Sequence, residues 1–95
     1  MYAVIRRYKG MPGAADELAR RHHEVVAVIR SAPGFIAYYL LKTHDGMASV
    51  TVCEEEAGAI ETNRLAAAWL RDNMPALALT PPEISAGEVV IHTAR

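Results

Sequence analysis

Residues 35–53, FIAYYLLKTHDGMASVTVC, contain two strand-forming runs that are separated by a turn. The runs Phe35–Thr43 and Met47–Cys53 are rich in aromatic and β-branched side chains, which favour extended backbone. Between them, His44-Asp45-Gly46 combines residues that are typical of turns. The stretch therefore predicts two neighbouring strands in the middle of the chain.

The rest of the chain places one strand and one helix on either side of this pair. Met1–Lys9 alternates as a strand does, and Pro12–Ser31 carries apolar residues at helical spacing. Glu55–Leu79 predicts a second helix, which Pro75 should kink or end, and Ile84–Thr93 predicts a last strand. This βαββαβ order predicts one α+β domain over residues 1–95, an antiparallel four-stranded sheet with both helices on one face.

The balance of charge argues against a nucleic-acid partner. Ten Lys and Arg residues against 11 Asp and Glu residues give a formal net charge of −1. Proteins that bind nucleic acids carry a positive surface that neutralises phosphates, and the basic residues of this chain are scattered.

The strands are more apolar than a sheet with one solvated face requires. In Phe35–Leu41 and Val89–Ile91 apolar residues occupy both faces of the strand, whereas two helices can cover only one face of a four-stranded sheet. We therefore expect a homodimer that forms through the uncovered face of the sheet.

The cysteine content and the lack of long apolar runs indicate the cellular compartment of the protein. Cys53 is the only cysteine, so no internal disulfide forms, and its place on a strand predicts a buried thiol. No signal peptide precedes the first strand, and no apolar run is long enough to span a bilayer. We expect a cytoplasmic protein without a membrane partner.

The segments that flank the helices have a distinctive composition. The first helix begins after Gly10-Met11-Pro12-Gly13 and ends at Ala32-Pro33-Gly34-Phe35, and the strand Val50–Cys53 leads into Glu54-Glu55-Glu56-Ala57. With the βαββαβ order, these features resemble the antibiotic biosynthesis monooxygenase family. The resemblance implies a dimeric α/β barrel of two ferredoxin-like halves. It also implies relatives that include cofactor-independent oxygenases of aromatic substrates and haem-degrading enzymes.

Two departures from the family patterns narrow the expected activity. Asn63 stands where many members carry a histidine early in the second helix, and an amide does not act as a general base. The pattern of the haem-degrading members is an Asn on the first strand with a Trp and a His on the second helix. Only the Trp has a counterpart in this chain, Trp69, so we do not expect haem degradation. The chain also lacks glycine-rich nucleotide motifs and Cys-x-x-Cys, and we expect no cofactor.

Five residues are candidates for binding a substrate. His22 and Asn63 lie on otherwise apolar helical stripes, where a polar group must find a partner or line a cavity. Tyr38 and Tyr39 point to opposite faces of their strand, so one of them should face the helices, and Trp69 lies beside the stripe of its helix. The alternative for all five is that they pack or hydrogen-bond within the fold without contacting a ligand.

Two other groups of residues are expected to be structural. His22 and His23 are adjacent on a helix and diverge by about 100°, so they make a poor chelate, and we expect no metal site. Arg6 and Arg7 alternate across the first strand, and we expect them to form ion pairs with carboxylates at the rim of the sheet.

Two functional hypotheses follow. The first is a cofactor-independent monooxygenase that binds a small aromatic or quinol-type substrate between sheet and helices, with Asn63, His22 and a tyrosine hydroxyl contacting its oxygens. The second is a non-catalytic dimer that binds a small hydrophobic ligand or serves as a structural protein, because fold alone does not imply function.

Overall fold

The computed structural model describes all residues from Met1 to Arg95. It contains four strands and four helices in the order β1 (Tyr2–Lys9), α1 (Ala14–Arg20), α2 (His22–Arg30), β2 (Phe35–Thr43), β3 (Gly46–Cys53), α3 (Glu56–Asn73), α4 (Pro75–Ala78) and β4 (Glu83–Glu88). None of these helices combines the length and the apolar character that crossing a membrane requires.

The four strands form one antiparallel sheet in the order β2-β3-β1-β4, with the helices packed on one face. The predicted ferredoxin-like α+β fold is therefore confirmed. In the centre of the sheet, Arg6 of β1 lies between Ser49 of β3 and Ile84 of β4. Because side chains alternate across a strand, Val4, Arg6 and Tyr8 all point toward the helices, where each is buried.

Both predicted helices are divided in two. The first breaks at Arg21, whose backbone leaves the helical region at φ −104° and ψ 26°. The Arg21 side chain donates to Asn73 Oδ1 at 2.8 Å and lies over the ring of Trp69, so the break coincides with an anchor to α3. Pro75 ends the second helix as predicted, and α4 follows as a single turn.

The last strand is shorter than predicted. It ends at Glu88 and does not continue to Thr93. Glu88 pairs with Tyr2, the first residue of β1, and Val89 donates one more hydrogen bond to the carbonyl of Met1 at 2.9 Å. Val89–Thr93 therefore lie outside the ladder, although the alternation of the sequence continues there.

The core consists of two clusters between sheet and helices. The larger contains Tyr8, Ala14, Leu18, Met47, Leu70 and Leu77, and the smaller contains Val4, Ala32, Cys53 and Ala59. Cys53 is fully buried as predicted, and its burial raises the pKa of the thiol. Next to this cluster, a Cβ atom on Gly58 would lie 2.0 Å from the carbonyl oxygen of Pro33. Glycine at this position therefore lets the first turn of α3 approach the backbone of Pro33 closely. This close approach places the following turn of α3 over β1.

The face of the sheet that lacks helices is apolar and open. Across its middle, Val50 lies between Ile5 and Tyr39, and Leu41 lies beside Ala48. Tyr39 is 61% exposed and Leu41 is 47% exposed. Apart from Arg7, which lies beside Ala48, this part of the face is apolar, and exposed apolar patches of this kind are typical of surfaces that bind another protein.

We expect Leu41→Asp to weaken self-association, because it places a charge in the middle of the open face. Light scattering over a concentration series should show a dimer for the wild type and a shift toward monomer for the variant. Leu79→Asp is the control, because Leu79 is 84% exposed outside the sheet and should leave the association state unchanged. A wild-type protein that stays monomeric at micromolar concentration would contradict the expectation.

Candidate active site

A buried arginine lies at the centre of the helix-covered face. Arg6 is only 2% exposed, and three neutral oxygens hold its guanidinium. Nη1 donates to Thr62 Oγ1 at 3.0 Å and to Asn63 Oδ1 at 3.1 Å, and Nη2 donates to Thr51 Oγ1 at 2.9 Å. The Thr62 hydroxyl itself donates to the Ala59 carbonyl at 2.6 Å, which leaves its lone pairs for Arg6. Strand β3 and helix α3 therefore hold the charge that Arg6 of β1 supplies.

This guanidinium has no counter-ion in the chain. The five ion pairs of the structure all involve other cations, namely Arg20, Arg21, Lys42, Arg64 and Arg71. A guanidinium has five N–H donors, of which Arg6 uses three in its hydrogen bonds. The remaining two are the Nε–H and one N–H of Nη2, and the Tyr8 hydroxyl lies within reach of the group.

The expectation of rim ion pairs is therefore wrong at both arginines: Arg6 is buried, Arg7 is exposed, and neither pairs with a carboxylate. The alternation of β1 does indicate that Arg6 is buried, because Val4, Arg6 and Tyr8 share the face of the strand that a helical layer must cover. What the sequence did not show is that the oxygens nearest to that arginine would come from Thr51, Thr62 and Asn63, without any carboxylate.

Two spaces meet at Arg6. The inner cavity lies between the sheet and helices α1, α2 and α3, and its volume is about 30 Å³. The outer groove lies between α3, α4, the connection Leu79–Pro82 and β4, and its volume is about 600 Å³. Arg6, Tyr8 and Leu70 line both spaces. The inner cavity has room for one or two water-sized molecules, whereas the groove is in the range of small-molecule sites.

The polar groups of the inner cavity belong to the sheet. Ser49, the cross-strand neighbour of Arg6, presents a buried hydroxyl oxygen without a hydrogen-bond partner. Tyr8 and Tyr38 also line this cavity, opposite apolar side chains of the helices. Burial raises the pKa of both phenols, and the nearby charge of Arg6 opposes this shift. Both hydroxyls are therefore neutral donors at physiological pH.

The electrostatics of Arg6 are dominated by burial. Burial lowers the pKa of the guanidinium from its ordinary value, while Tyr8 and Tyr38 oppose the shift. Because arginine stays protonated in proteins at neutral pH, the site holds a permanent positive charge in an apolar setting.

The structure distributes the five sequence candidates over different places. Asn63 accepts from Arg6 and lines the outer groove, and Tyr38 and Trp69 line the inner cavity. His22 is exposed, its Nδ1 lies 3.0 Å from the Ala19 carbonyl oxygen, and it lines a third groove, which shares Leu18, Val25, Tyr38 and Leu40 with the inner cavity. Tyr39 lies on the open face of the sheet. His22 and Asn63 are thus not brought together, because their helices present them to different sides of the inner cavity.

The titratable groups around the two spaces are few. Neither space is lined by a His, Asp or Glu side chain, and Arg71 is the other charged residue of the groove. Nor does the structure bring together three His, Cys, Asp or Glu side chains as a metal site would need. The chemistry available to a bound ligand is therefore that of one buried cation, one cation at the groove, phenol and alcohol hydroxyls, and the Asn63 amide.

The family model described as "Antibiotic biosynthesis monooxygenase" matches residues 1–63. This chain belongs to the antibiotic biosynthesis monooxygenase family. The match spans β1 through the first part of α3, and it therefore includes Arg6, Thr51, Thr62 and Asn63. No protein with a curated description matches the sequence.

Solved structures share the fold across the whole chain at low identity. A protein of unknown function from Nitrosomonas europaea superposes with a TM-score of 0.74 and 24% identity, covering 99% of this chain and 93% of its own. SnoaB, a cofactor-independent oxygenase from Streptomyces nogalater, has a TM-score of 0.66 and 16% identity, with 99% and 97% covered.

Two further relatives were solved with ligands. A monooxygenase from the ActVA-Orf6 gene of Streptomyces coelicolor, in complex with nanaomycin D, has a TM-score of 0.61 and 23% identity, with 98% and 91% covered. The haem-degrader MhuD of Mycobacterium tuberculosis, with two haems bound, has a TM-score of 0.60 and 22% identity, with 99% and 100% covered. At these identities the likenesses show a common fold.

The raised phenol pKa values predict lower stability in alkali. A group whose pKa is higher in the folded state than its ordinary 10.0 keeps its proton longer when folded, so its contribution is complete below about pH 10 and is lost above it. Urea unfolding between about pH 8 and pH 11 should show a first decrease in the free energy of unfolding above about pH 9, from the Cys53 thiol. Above pH 10 the decrease should become steeper, by at most about 1.4 kcal/mol per pH unit for each phenol.

Tyr8→Phe should reduce that alkaline slope. The Cys53 thiol, whose pKa is also raised, is common to both proteins, so the difference between their slopes isolates Tyr8. Identical slopes for wild type and variant would show that the Tyr8 phenol is not buried as described.

Proposed function

We propose that this protein is a cofactor-independent monooxygenase that acts on a small, electron-rich aromatic substrate of the anthrol or quinol type. The observation that carries the proposal is a groove of about 600 Å³ that is lined by Arg6, Tyr8 and Asn63 in a member of this family. Support comes also from SnoaB, described as a cofactor-independent oxygenase, and from the monooxygenase complex with nanaomycin D.

The reaction needs no reductant other than the substrate. An anthrol gives up the proton of its hydroxyl, and the carbon para to the resulting oxyanion forms a bond to dioxygen, giving a hydroperoxide. Loss of the remaining hydrogen from that carbon as a proton, with cleavage of the O–O bond, leaves a carbonyl group and one water. One oxygen atom enters the product and the other leaves as water, and the substrate supplies all four electrons that dioxygen accepts.

The two spaces suit different parts of this reaction. The ring system lies in the outer groove, with its oxygenated edge toward Arg6, Tyr8 and Asn63. The inner cavity, on the other side of Arg6, has the size of a diatomic molecule and is walled mainly by apolar side chains. The Tyr38 and Ser49 hydroxyls in that cavity are donors for the oxygen atoms that gain charge.

The protein acts as a homodimer in this proposal. The open face of the sheet, with Tyr39 and Leu41, packs against the same face of a second copy and completes a dimeric α/β barrel. The substrate spaces lie on the opposite, helix-covered face, so each subunit carries its own site.

Ligand binding without catalysis is the second candidate function. It is favoured by the absence of any His, Asp or Glu side chain from the lining of both spaces, since no residue there is a conventional general base. Binding of an aromatic ligand without oxygen consumption, under conditions where the free ligand is stable, would support this alternative.

Oxygen uptake measured with a panel of anthrols and naphthols tests the leading proposal. At least one member should be oxidised above its blank rate, and Ala67→Trp should lower that rate by on the order of 10-fold because the new ring fills the groove. Ala57→Trp is the matched control, since Ala57 is exposed on the same helix and lines neither space. No uptake with any substrate, or equal loss in both variants, would count against the proposal.

The adjacent tyrosines allow a second matched test. Tyr38→Phe removes a hydroxyl from the inner cavity and should lower turnover by roughly 100-fold, the magnitude typical for a donor that stabilises developing charge. Tyr39→Phe removes the same atom on the open face and should leave turnover of the dimer unchanged. Equal rates for the two variants would exclude Tyr38 from the chemistry.

A further inference from the structure

The charges that line the two spaces are all positive. Arg6 is buried at the junction, and Arg71 lines the outer groove with a side chain that is 69% exposed. No carboxylate lines either space, and the nearest titratable groups from the strands are the neutral phenols of Tyr8 and Tyr38. A ligand with a negative charge is the one that these surroundings favour.

Arg6 lacks the partner that buried charges normally have. Isolated ions are expensive to remove from water, and proteins usually bury them as pairs. Here the hydrogen-bond acceptors are three neutral oxygens, the Tyr8 hydroxyl lies beside the guanidinium, and Arg6 lines both spaces. The Nε–H and one N–H of Nη2 have no acceptor among these three oxygens, and arginine binds charged oxygens through such donors.

We propose that the site binds its aromatic ligand as an oxyanion, through the buried guanidinium of Arg6. The proposal rests on the proposed function for the class of substrate and extends it to the ionisation state. Because no general base lines either space, the positive charge of Arg6 replaces one: it favours the ionised hydroxyl over the neutral form, and the proton leaves to solvent. The same geometry accepts an aromatic carboxylate, so the shared chemistry is a planar aromatic oxyanion.

Binding measurements with matched probes test the proposal without reference to turnover. Calorimetric titration of the wild type at neutral pH should show naphthalene-2-carboxylate binding at least about 10-fold more tightly than naphthalene-2-carboxamide, its neutral isostere. A third probe, 5-hydroxy-1,4-naphthoquinone, changes its visible absorption on ionisation, so its titration reports the ionised fraction in the site. Tighter binding of the hydroxyquinone or of the carboxylate identifies which oxyanion the site prefers.

Two substitutions test the role of Arg6 in different ways. Arg6→Met removes the charge at similar length and should abolish the preference for the anion. Asn63→Asp keeps Arg6 and its hydrogen bond but supplies a carboxylate from the chain, so it should weaken anion binding by roughly 10- to 100-fold while the protein stays folded. The second variant keeps the proposal testable if Arg6→Met fails to fold.

Arg71, the exposed charge at the outer groove, provides the comparison with Arg6. Arg71→Met should weaken the anion only slightly, since exposed charges are screened, and Arg64→Met, an exposed arginine of the same helix paired with Glu61, should have no effect. Equal affinity of the wild type for the carboxylate and the carboxamide, or an anion preference that survives Asn63→Asp, would overturn the proposal. Anion binding without oxygen uptake would support the oxyanion site and refute the monooxygenase proposal. Oxygen uptake without a preference for the anion would support the monooxygenase and refute the oxyanion site.

Discussion

The buried positive charge of Arg6 is the constraint on which the arrangement of the site depends. Arg6 is 2% exposed, so its guanidinium must be surrounded by acceptors, and here they come from β3 and α3. Leaving such a charge without a counter-ion costs several kcal/mol in a protein interior. The rest of the fold stabilises the site against this cost through the two apolar clusters and the continuous β1 ladders.

The position of Arg6 indicates why the fold carries this cost. Arg6 stands where the inner cavity and the outer groove meet, and the side chains around it are neutral donors, neutral acceptors or apolar groups. A fold that needed Arg6 only for stability would be served as well by an apolar side chain of similar size, as is common for buried ion pairs. The arrangement instead keeps one charge preorganised in a dry setting, where electrostatic stabilisation of a bound anion is strongest.

The sequence was most informative where local and global signals agree. The central strands Phe35–Thr43 and Gly46–Cys53 lie within one residue of prediction because composition, turn and alternation all pointed to them. The break at Arg21 and the end of β4 at Glu88 depend on contacts across the fold, and local patterns do not contain them. Pro75 was predictable because its ring and missing N–H act locally.

For the site, the residue types were visible but their neighbours were not. Asn63 and the pair Tyr38 and Tyr39 stood out as polar groups in apolar surroundings, and the structure separates the two tyrosines by face. His22 drew the same inference and proved to be exposed, since an apolar stripe on a helix does not reveal where the helical layer ends. Arg6 was assigned to a rim ion pair, because an arginine on a strand normally reaches solvent or a carboxylate. Its hydrogen bond to Thr51 and the approach of α3 exclude both.

A crystal structure of the protein with naphthalene-2-carboxylate is the most direct test of the central claim. The account predicts the ring in the outer groove and a carboxylate oxygen about 2.7–2.9 Å from Nε or Nη2 of Arg6, with the hydrogen bonds to Thr51, Thr62 and Asn63 retained. A ligand bound elsewhere, or a carboxylate of a second copy of the chain seated on Arg6, would contradict it.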